Sequence, residues 1–578
     1  MINLLLNNFY ILSKDFRKKL YYFIFLLFIT IFFESMSIIL LFQFVGIFFN
    51  SSDDLITNTY LHNFFNFIGI DVVKNKYYLF LFLILIYLFK TIFLTFFSWW
   101  KNRFRIDMKK NIGERLFKKY MFESRSYHVS KNSSEFVRSI TIDIDRFTLG
   151  ILESITLITE VLIIIFIGGI LFYLQPFLTF LFCLIFLIFS CIWYFSLKKN
   201  LNIWGQKRVF HDGKIVKFLN EGFHGHKEIK VLNAENFFIK NFKFNLFNTT
   251  KFAFLNDFFQ EIPRLWLEFL LVMSFSIIFI FLFIFKDFSF AIIAPILAAY
   301  SGAALRLLPS INRVITATYT LNYAGPVIRA FRNELKYENK NEYIKGESKE
   351  ELSFNENITF KKINFSYSST KLQIIKNFNF QIKKNEIIGI TGPSGSGKST
   401  LINLLMGLEF ANEGSILIDN ISLTVDNSRK WQKKIGYVPQ TIFLTDDSIK
   451  KNIALGKEDP EINHEKIKQL ITRCQLFDFV NKLKFKEETN VGELGSKISE
   501  GQKQRLGIAR ALYRDPDILV LDEFTSSLDV PTENEIMEII KSFKGKKTIF
   551  IVSHKQNPIK YCNKVINLSE INKLNEKS

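Results

Sequence analysis

Residues 389–407 read GITGPSGSGKSTLINLLMG. An apolar, strand-like run leads in and a helical run leads out. Between them the spacing G-x-x-x-x-G-K-S falls on 392–399. Glycines let backbone N–H groups close around an anion, and the N-terminus of the following helix adds its dipole. The stretch therefore predicts a phosphate cradle made by Gly392, Pro393, Ser394, Gly395, Ser396 and Gly397. Lys398 is expected to reach the β- and γ-phosphates, Ser399 to hold Mg²⁺, and Thr400 to complete the loop.

A second motif complements the first. In DILVLDEFTSSLD, 517–529, four apolar residues form a buried strand that ends in two acids. Asp522 is placed to bind Mg²⁺ through water, and Glu523 to orient and polarise an attacking water. Together the two motifs specify an ATP-hydrolysing α/β domain.

With these residues in view, the C-terminal half resembles the nucleotide-binding domain of an ABC transporter. KISEGQKQRLGIARAL, 497–512, is similar to the family's signature sequence. Ser499, Gly501 and Gln502 match; Ile498 and Glu500 stand where leucine and glycine are usual. The resemblance implies further roles. Tyr367 in INFSYSS would stack on adenine, and Gln440 in IGYVPQ would touch Mg²⁺ and couple nucleotide to the membrane domain. His554 in IVSH would act as the switch at the γ-phosphate. Asp529, closing SSLD, would contact the partner domain, and the signature would meet ATP bound to the opposite subunit. A homodimer follows as the expectation, and Glu500 would put an extra carboxylate near the partner's triphosphate.

Outward from this domain the composition changes. The chain has 578 residues, 49% of them hydrophobic and 67 of them Phe, more apolar than a soluble enzyme requires. Six apolar stretches, at about 20–49, 77–100, 148–174, 177–197, 264–285 and 288–320, are each long enough to cross a bilayer. The expected organisation is a six-helix membrane domain over 1–333, a polar linker over 334–352 and the α/β ATPase domain over 353–578.

The formal net charge is +20. Its basic residues gather beside one end of the spans, at Lys14, Arg17, Lys18 and Lys19, at Lys101, Arg103, Arg105, Lys109 and Lys110, and at Lys198 and Lys199. That distribution points to the cytoplasmic face of an inner membrane, with both chain ends cytoplasmic, and away from nucleic acid. Residues 2–12 read as an interfacial helix and not as a cleavable signal. In the loop 50–76, Leu61, Phe64, Phe65 and Ile68 recur at helical spacing and suggest an amphipathic helix. Four cysteines show no metal or disulfide spacing. His224 and His226 read as surface residues.

The membrane half resembles the exporter type of this family, with 114–146 and 218–238 as its cytoplasmic extensions. Charged residues within spans are costly and mark function or pairing. Arg264 and Glu268 can pair at i, i+4, and Glu34 can satisfy Lys90. Arg306 and Arg313, two turns apart in AAYSGAALRLLPSINRVITATYTL, 298–321, show no local partner. Their planar forks suit phosphate oxygens. IPRLWLEF and ALRLLPSINRVITATY resemble the corresponding helices of the lipid-linked oligosaccharide flippases of bacterial protein N-glycosylation. That resemblance implies a polyprenyl-pyrophosphate oligosaccharide as substrate, with Arg264, Arg306, Arg313 and Lys90 as its candidate ligands. Another amphiphile, such as lipid A or a drug, is the alternative; a channel or regulatory ATPase without vectorial transport is the reading of a different class.

Overall fold

The computed structural model describes residues 14–49, 77–174, 176–285, 290–336, 352–367, 373–526 and 528–569. The expected interfacial segment 2–12, the outer helix of 50–76 and most of the linker lie outside the described residues. Two compact units emerge. The first comprises 1–121 with 132–339, and the second 122–131 with 340–578.

The first unit is helical. Its long helices are α1 (Lys14–Phe49), α2 (Tyr77–Phe122), α5 (Ile144–Leu174), α6 (Pro176–His224), α8 (Glu235–Phe285) and α9 (Phe290–Lys336). Short helices α4 (Ser133–Arg138) and α7 (His226–Val231) interrupt them, and α3 (Arg125–Ser130) belongs to the second unit. The shortest of the six has 31 residues and therefore extends about 46 Å, well beyond a hydrocarbon core of about 30 Å. Among the described residues three segments are both long and apolar enough to cross a membrane: Leu81–Phe122, Ser133–Tyr173 and Thr179–His224.

Helix α9 is the centre of this unit, packing against α1, α5, α6 and α8. Its sequence explains why. Ala303, Ser310, Ala317 and Ala324 recur every seven residues, and all four are buried. Small residues on one stripe let neighbouring helices approach closely. The approach is tightest at Gly205 of α6, where a Cβ would lie 2.1 Å from the Tyr323 carbonyl oxygen. Arg306 and Arg313 stand three residues after Ala303 and Ser310, so the same packing holds them beside α1 and α5.

The second unit contains two sheets. Strands β1 (Asn357–Ser366), β2 (Gln373–Lys383), β4 (Glu413–Ile418) and β5 (Ile421–Ser422) form an antiparallel sheet of order β2-β1-β4-β5. Strands β3 (Ile387–Thr391), β6 (Ile435–Val438), β7 (Ile518–Asp522), β8 (Thr548–Val552) and β9 (Lys564–Asn567) form a sheet of order β6-β7-β8-β3-β9. Its pairs are parallel. Near-continuous apolar runs such as ILVL and TIFIV are what a sheet covered on both faces requires. All five residues of β8 and the first four of β7 are buried. Parallel order brings the carboxyl ends of β3 and β7 to one edge, separated by β8, and the functional loops leave from that edge.

Candidate functional site

The phosphate-binding loop begins where β3 ends. Gly392, Gly395 and Gly397 have φ of 146°, 82° and 97°, values that side chains with a Cβ rarely adopt. Gly397 caps α10 (Lys398–Leu405). The Lys398 side chain folds back over the loop, and its Nζ donates to the carbonyls of Gly392 at 2.9 Å and Pro393 at 3.0 Å. Ser396 Oγ is buried and has no hydrogen-bond partner. Ser399 and Thr400 lie in the first turn of α10. The Tyr367 hydroxyl is 3.4 Å from Thr400 Oγ1, and its ring meets Phe365 edge-on at 4.9 Å. A cationic hook, a hydroxyl without a partner and a helix N-terminus thus converge on one concavity, a donor set that fits a nucleotide triphosphate.

The acids arrive from β7. Glu523 has φ of 45°, and its N–H donates to the Val552 carbonyl at 2.9 Å. This turn directs the Glu523 carboxylate between two other sequence candidates. Oε2 accepts from Gln440 Nε2 at 3.0 Å, and Oε1 lies 3.2 Å from His554 Nε2. Asp522 Oδ2 accepts from the Tyr437 hydroxyl at 3.4 Å. Burial, with the neighbouring Glu523 charge, raises the Asp522 carboxyl above the usual aspartate range. Burial beside Asp522 pushes the Tyr437 phenol up to about 12. A desolvated acid beside a second acid is a place where a divalent cation is welcome, because it relieves both penalties.

Tyr437 was not singled out from the sequence, and neither was Gln504. Gln504 is buried in α11 (Glu500–Tyr513), and its Nε2 donates to the Gln440 backbone carbonyl at 3.1 Å. It ties the signature helix to the loop that carries Gln440. The available signal was its position on the apolar face of that helix, between Gly501 and Ile508.

The signature residues form a helix cap. Ser499 Oγ accepts from the Gln502 N–H, and Gln502 Oε1 accepts from the Ser499 N–H. The Glu500 carboxylate pairs with Lys503, whose Nζ lies 2.8 Å away. An acid in the first helical turn also opposes the positive end of the helix dipole. Asp529 caps α12 (Val530–Lys541), accepting from the Thr532 N–H. Within the same unit, Ser126 of α3 donates to Glu409, and the Arg429 guanidinium lies 4.3 Å above the Phe122 ring.

The charges of the first unit are closed by long-range pairs. Arg306 and Arg313 both have acidic partners. Arg306 Nε lies 2.9 Å from Glu34 and its Nη2 3.7 Å from Glu160. Arg313 Nε lies 2.6 Å from Glu160 Oε1, and its Nη2 donates to Oε2 at 3.3 Å. Lys90 pairs with Glu34 at 2.9 Å, as expected, and also donates to Ser37. Local spacing could not reveal the pairs of the two arginines, because each joins helices distant in sequence. Arg264 and Glu268 pair at 3.0 Å on an exposed face of α8, as their spacing suggested. With Leu305, Pro309, Asn312 and Arg313 they line a cleft of about 620 Å³ between α8 and α9. Among the described residues no group of three or more His, Cys, Asp and Glu side chains is placed to hold a metal ion, and His224 and His226 each contact a nearby backbone carbonyl.

Comparison with known proteins agrees with this arrangement. Residues 20–305 match the ABC transporter transmembrane region and residues 375–526 match the ABC transporter domain. The chain therefore belongs to the ABC transporters, with the membrane region and the ATP-binding domain fused in one polypeptide. It is 38% identical over 209 residues, 36% of its length, to a leukotoxin translocation ATP-binding protein of Mannheimia glucosida. It is 35% identical over 213 residues, 37% of its length, to an ATP-dependent lipid A-core flippase of Desulfotalea psychrophila. These matches span only 29% and 36% of those two relatives. A bacterial Atm1-family ABC exporter solved with ATP bound shares the fold, with a TM-score of 0.74 at 17% identity, covering 97% of this chain and 95% of that one.

Proposed function

We propose that the protein hydrolyses ATP to export or flip an amphiphilic substrate across the cytoplasmic membrane. The observation that carries the reading is the Glu523 carboxylate held between Gln440 and His554 beside the phosphate loop. Glu523 orients the attacking water, and Gln440 and His554 fix the rotamer from which it does so. Lys398 turns from the loop carbonyls to the β- and γ-phosphates. Ser399, Asp522 and Gln440 hold Mg²⁺, whose contribution is to neutralise charge developing on the transferred phosphoryl group. Tyr367 stacks on the base. Ser499, Gly501, Gln502 and Asp529 serve the site of a second copy, so the working form is a homodimer with both ATP sites shared.

On this reading the six long helices all span an inner membrane, both termini are cytoplasmic, and the chain divides at 1–333, 334–352 and 353–578. The substrate is an anionic lipid of the polyprenyl-pyrophosphate oligosaccharide class, recognised by Arg264, Arg306, Arg313 and Lys90. What supports the anionic class is the charge count of the partly buried cluster: Lys90, Arg306 and Arg313 against Glu34 and Glu160 leave one cation in excess. The test is transport of defined lipid pyrophosphates in vesicles reconstituted with the purified protein. Flipping with ATP and not with a non-hydrolysable analogue is the expected result. ATP-dependent movement of lipid A or of a neutral amphiphile, with none of the lipid pyrophosphate, would overturn the substrate class and leave the transport reading standing.

A further inference from the structure

The two arginines of α9 occupy different situations. The Arg306 side chain is 19% exposed and bridges two acids, and its Nη1 donates to Ser310 at 3.1 Å. Arg313 is 42% exposed and lines the 620 Å³ cleft, yet its guanidinium edge faces both oxygens of Glu160. That edge is the one a phosphate would use. Its Nε, although close to the carboxylate, has no aligned hydrogen bond. Asn312, also in the cleft wall, has a buried Oδ1 without a hydrogen-bond partner.

We infer that Glu160 is an exchangeable counter-ion: an internal carboxylate that occupies the Arg313 fork until a phosphate displaces it, and then transfers to Arg306. The inference rests on the reading of Arg313 as a phosphate ligand. Its physical basis is the cost of unpairing. A carboxylate buried without a cation is expensive, and a displaced partner normally opposes binding by that amount. Here the displaced Glu160 has a second cation already at hand, with Arg306 Nη2 at 3.7 Å. Arg306 in turn stays anchored by Glu34 and Ser310. The exchange gives up the Arg313–Glu160 pair and gains one between Arg313 and the ligand, while the existing Arg306–Glu160 pair keeps the displaced carboxylate from being left alone. The pair with Glu160 already orients the Arg313 fork, so little side-chain freedom is lost on binding.

Glu160 is thus a positioning residue and a competitor of the ligand, which gives its removal an unusual sign. The experiment measures affinity of the detergent-solubilised full chain for farnesyl pyrophosphate by calorimetry, with saturating Mg-ADP so that the nucleotide sites do not take up the probe. Arg313→Gln is expected to weaken binding about tenfold, the worth of a charge-assisted bond. Glu160→Gln is expected to tighten it by up to about tenfold, because the competitor is gone while its shape remains. Unchanged or weaker binding by Glu160→Gln, with weaker binding by Arg313→Gln, would overturn the counter-ion role and leave Arg313 as a ligand. Unchanged binding by Arg313→Gln would remove the phosphate reading itself. If Glu160→Gln does not fold, Glu160→Asp takes its place. One methylene shorter, it keeps the charge between the two arginines and withdraws it from the Arg313 fork, which Glu160 meets at 2.6 Å. It too must tighten binding, and failure to do so sinks the inference.

Discussion

The phosphate loop and the charge cluster around α9 both concentrate ionisable side chains, and they differ in what those side chains do with one another. In the ATP-binding unit the groups are aimed at a shared space. Lys398 rests on two backbone carbonyls, Ser396 lacks a partner, and Asp522 and Glu523 stand side by side at the cost of mutual repulsion. In the membrane unit Lys90, Arg306 and Arg313 are closed on Glu34 and Glu160. The surroundings account for the difference. Water and backbone dipoles hold frustrated charges at the edge of a sheet, whereas within a helical bundle an unpaired charge has no such support. A site there must carry its own counter-ions, and any ligand competes with them.

The comparison is broken most severely at Glu523. Glu523→Gln is expected to lower ATP hydrolysis at least a hundredfold while ATP still binds, since the lost term acts only in the transition state. Lys398→Ala should instead weaken nucleotide binding. Phosphate release and equilibrium nucleotide binding on the purified chain separate the two, and near-normal turnover by Glu523→Gln would defeat the assignment.

In the membrane unit the expected loss is of stability. Arg306→Gln leaves Glu34 to Lys90 alone, and breaking a buried pair costs about 3 kcal/mol. A clear drop in melting temperature should follow, with a smaller one for the more exposed Arg313→Gln. Equal stabilities would show that the two arginines are not differentiated as their surroundings suggest.

Two smaller effects sharpen the contrast. Glu500→Gly should change ATP hydrolysis by no more than about twofold, because Lys503 already compensates the carboxylate and an exposed pair contributes little. A several-fold rise would mean that Glu500 faces the partner's phosphates despite Lys503. Asp522→Asn should slightly raise the melting temperature without nucleotide at neutral pH, and abolish the stabilisation given by Mg-ATP. The sign follows from linkage. A carboxyl whose folded pKa is raised takes up protons more readily folded than unfolded, so the native state is disfavoured as pH rises from the ordinary aspartate value through the raised one. The wild-type melting temperature should therefore fall across that window, and the variant's should fall less.

The nucleotide site was legible because its chemistry is local. G-x-x-x-x-G-K-S places cradle, hook and helix within eight residues, and the acids of β7 follow directly from an apolar run. Backbone geometry and a short separation along the chain are enough to state what such residues do. The antiparallel sheet was less legible: β1 pairs with β4 through irregular register, and β5 has two residues. Tyr437 and Gln504 were passed over because their roles exist only once β6, β7 and α11 are assembled.

The sequence by itself determined the class of the protein, the order of its domains and the candidates for phosphate contact, since these depend on periodicity and on spacing within one element. Only the tertiary structure decided which charges are free. Glu34, Lys90, Glu160, Arg306 and Arg313 come from α1, α2, α5 and α9 and lie up to hundreds of residues apart, and no spacing rule reaches across that separation. The small-residue stripe of α9 lets α1 and α5 approach it closely, and proximity in a medium that penalises lone charge then dictates the pairing of its arginines.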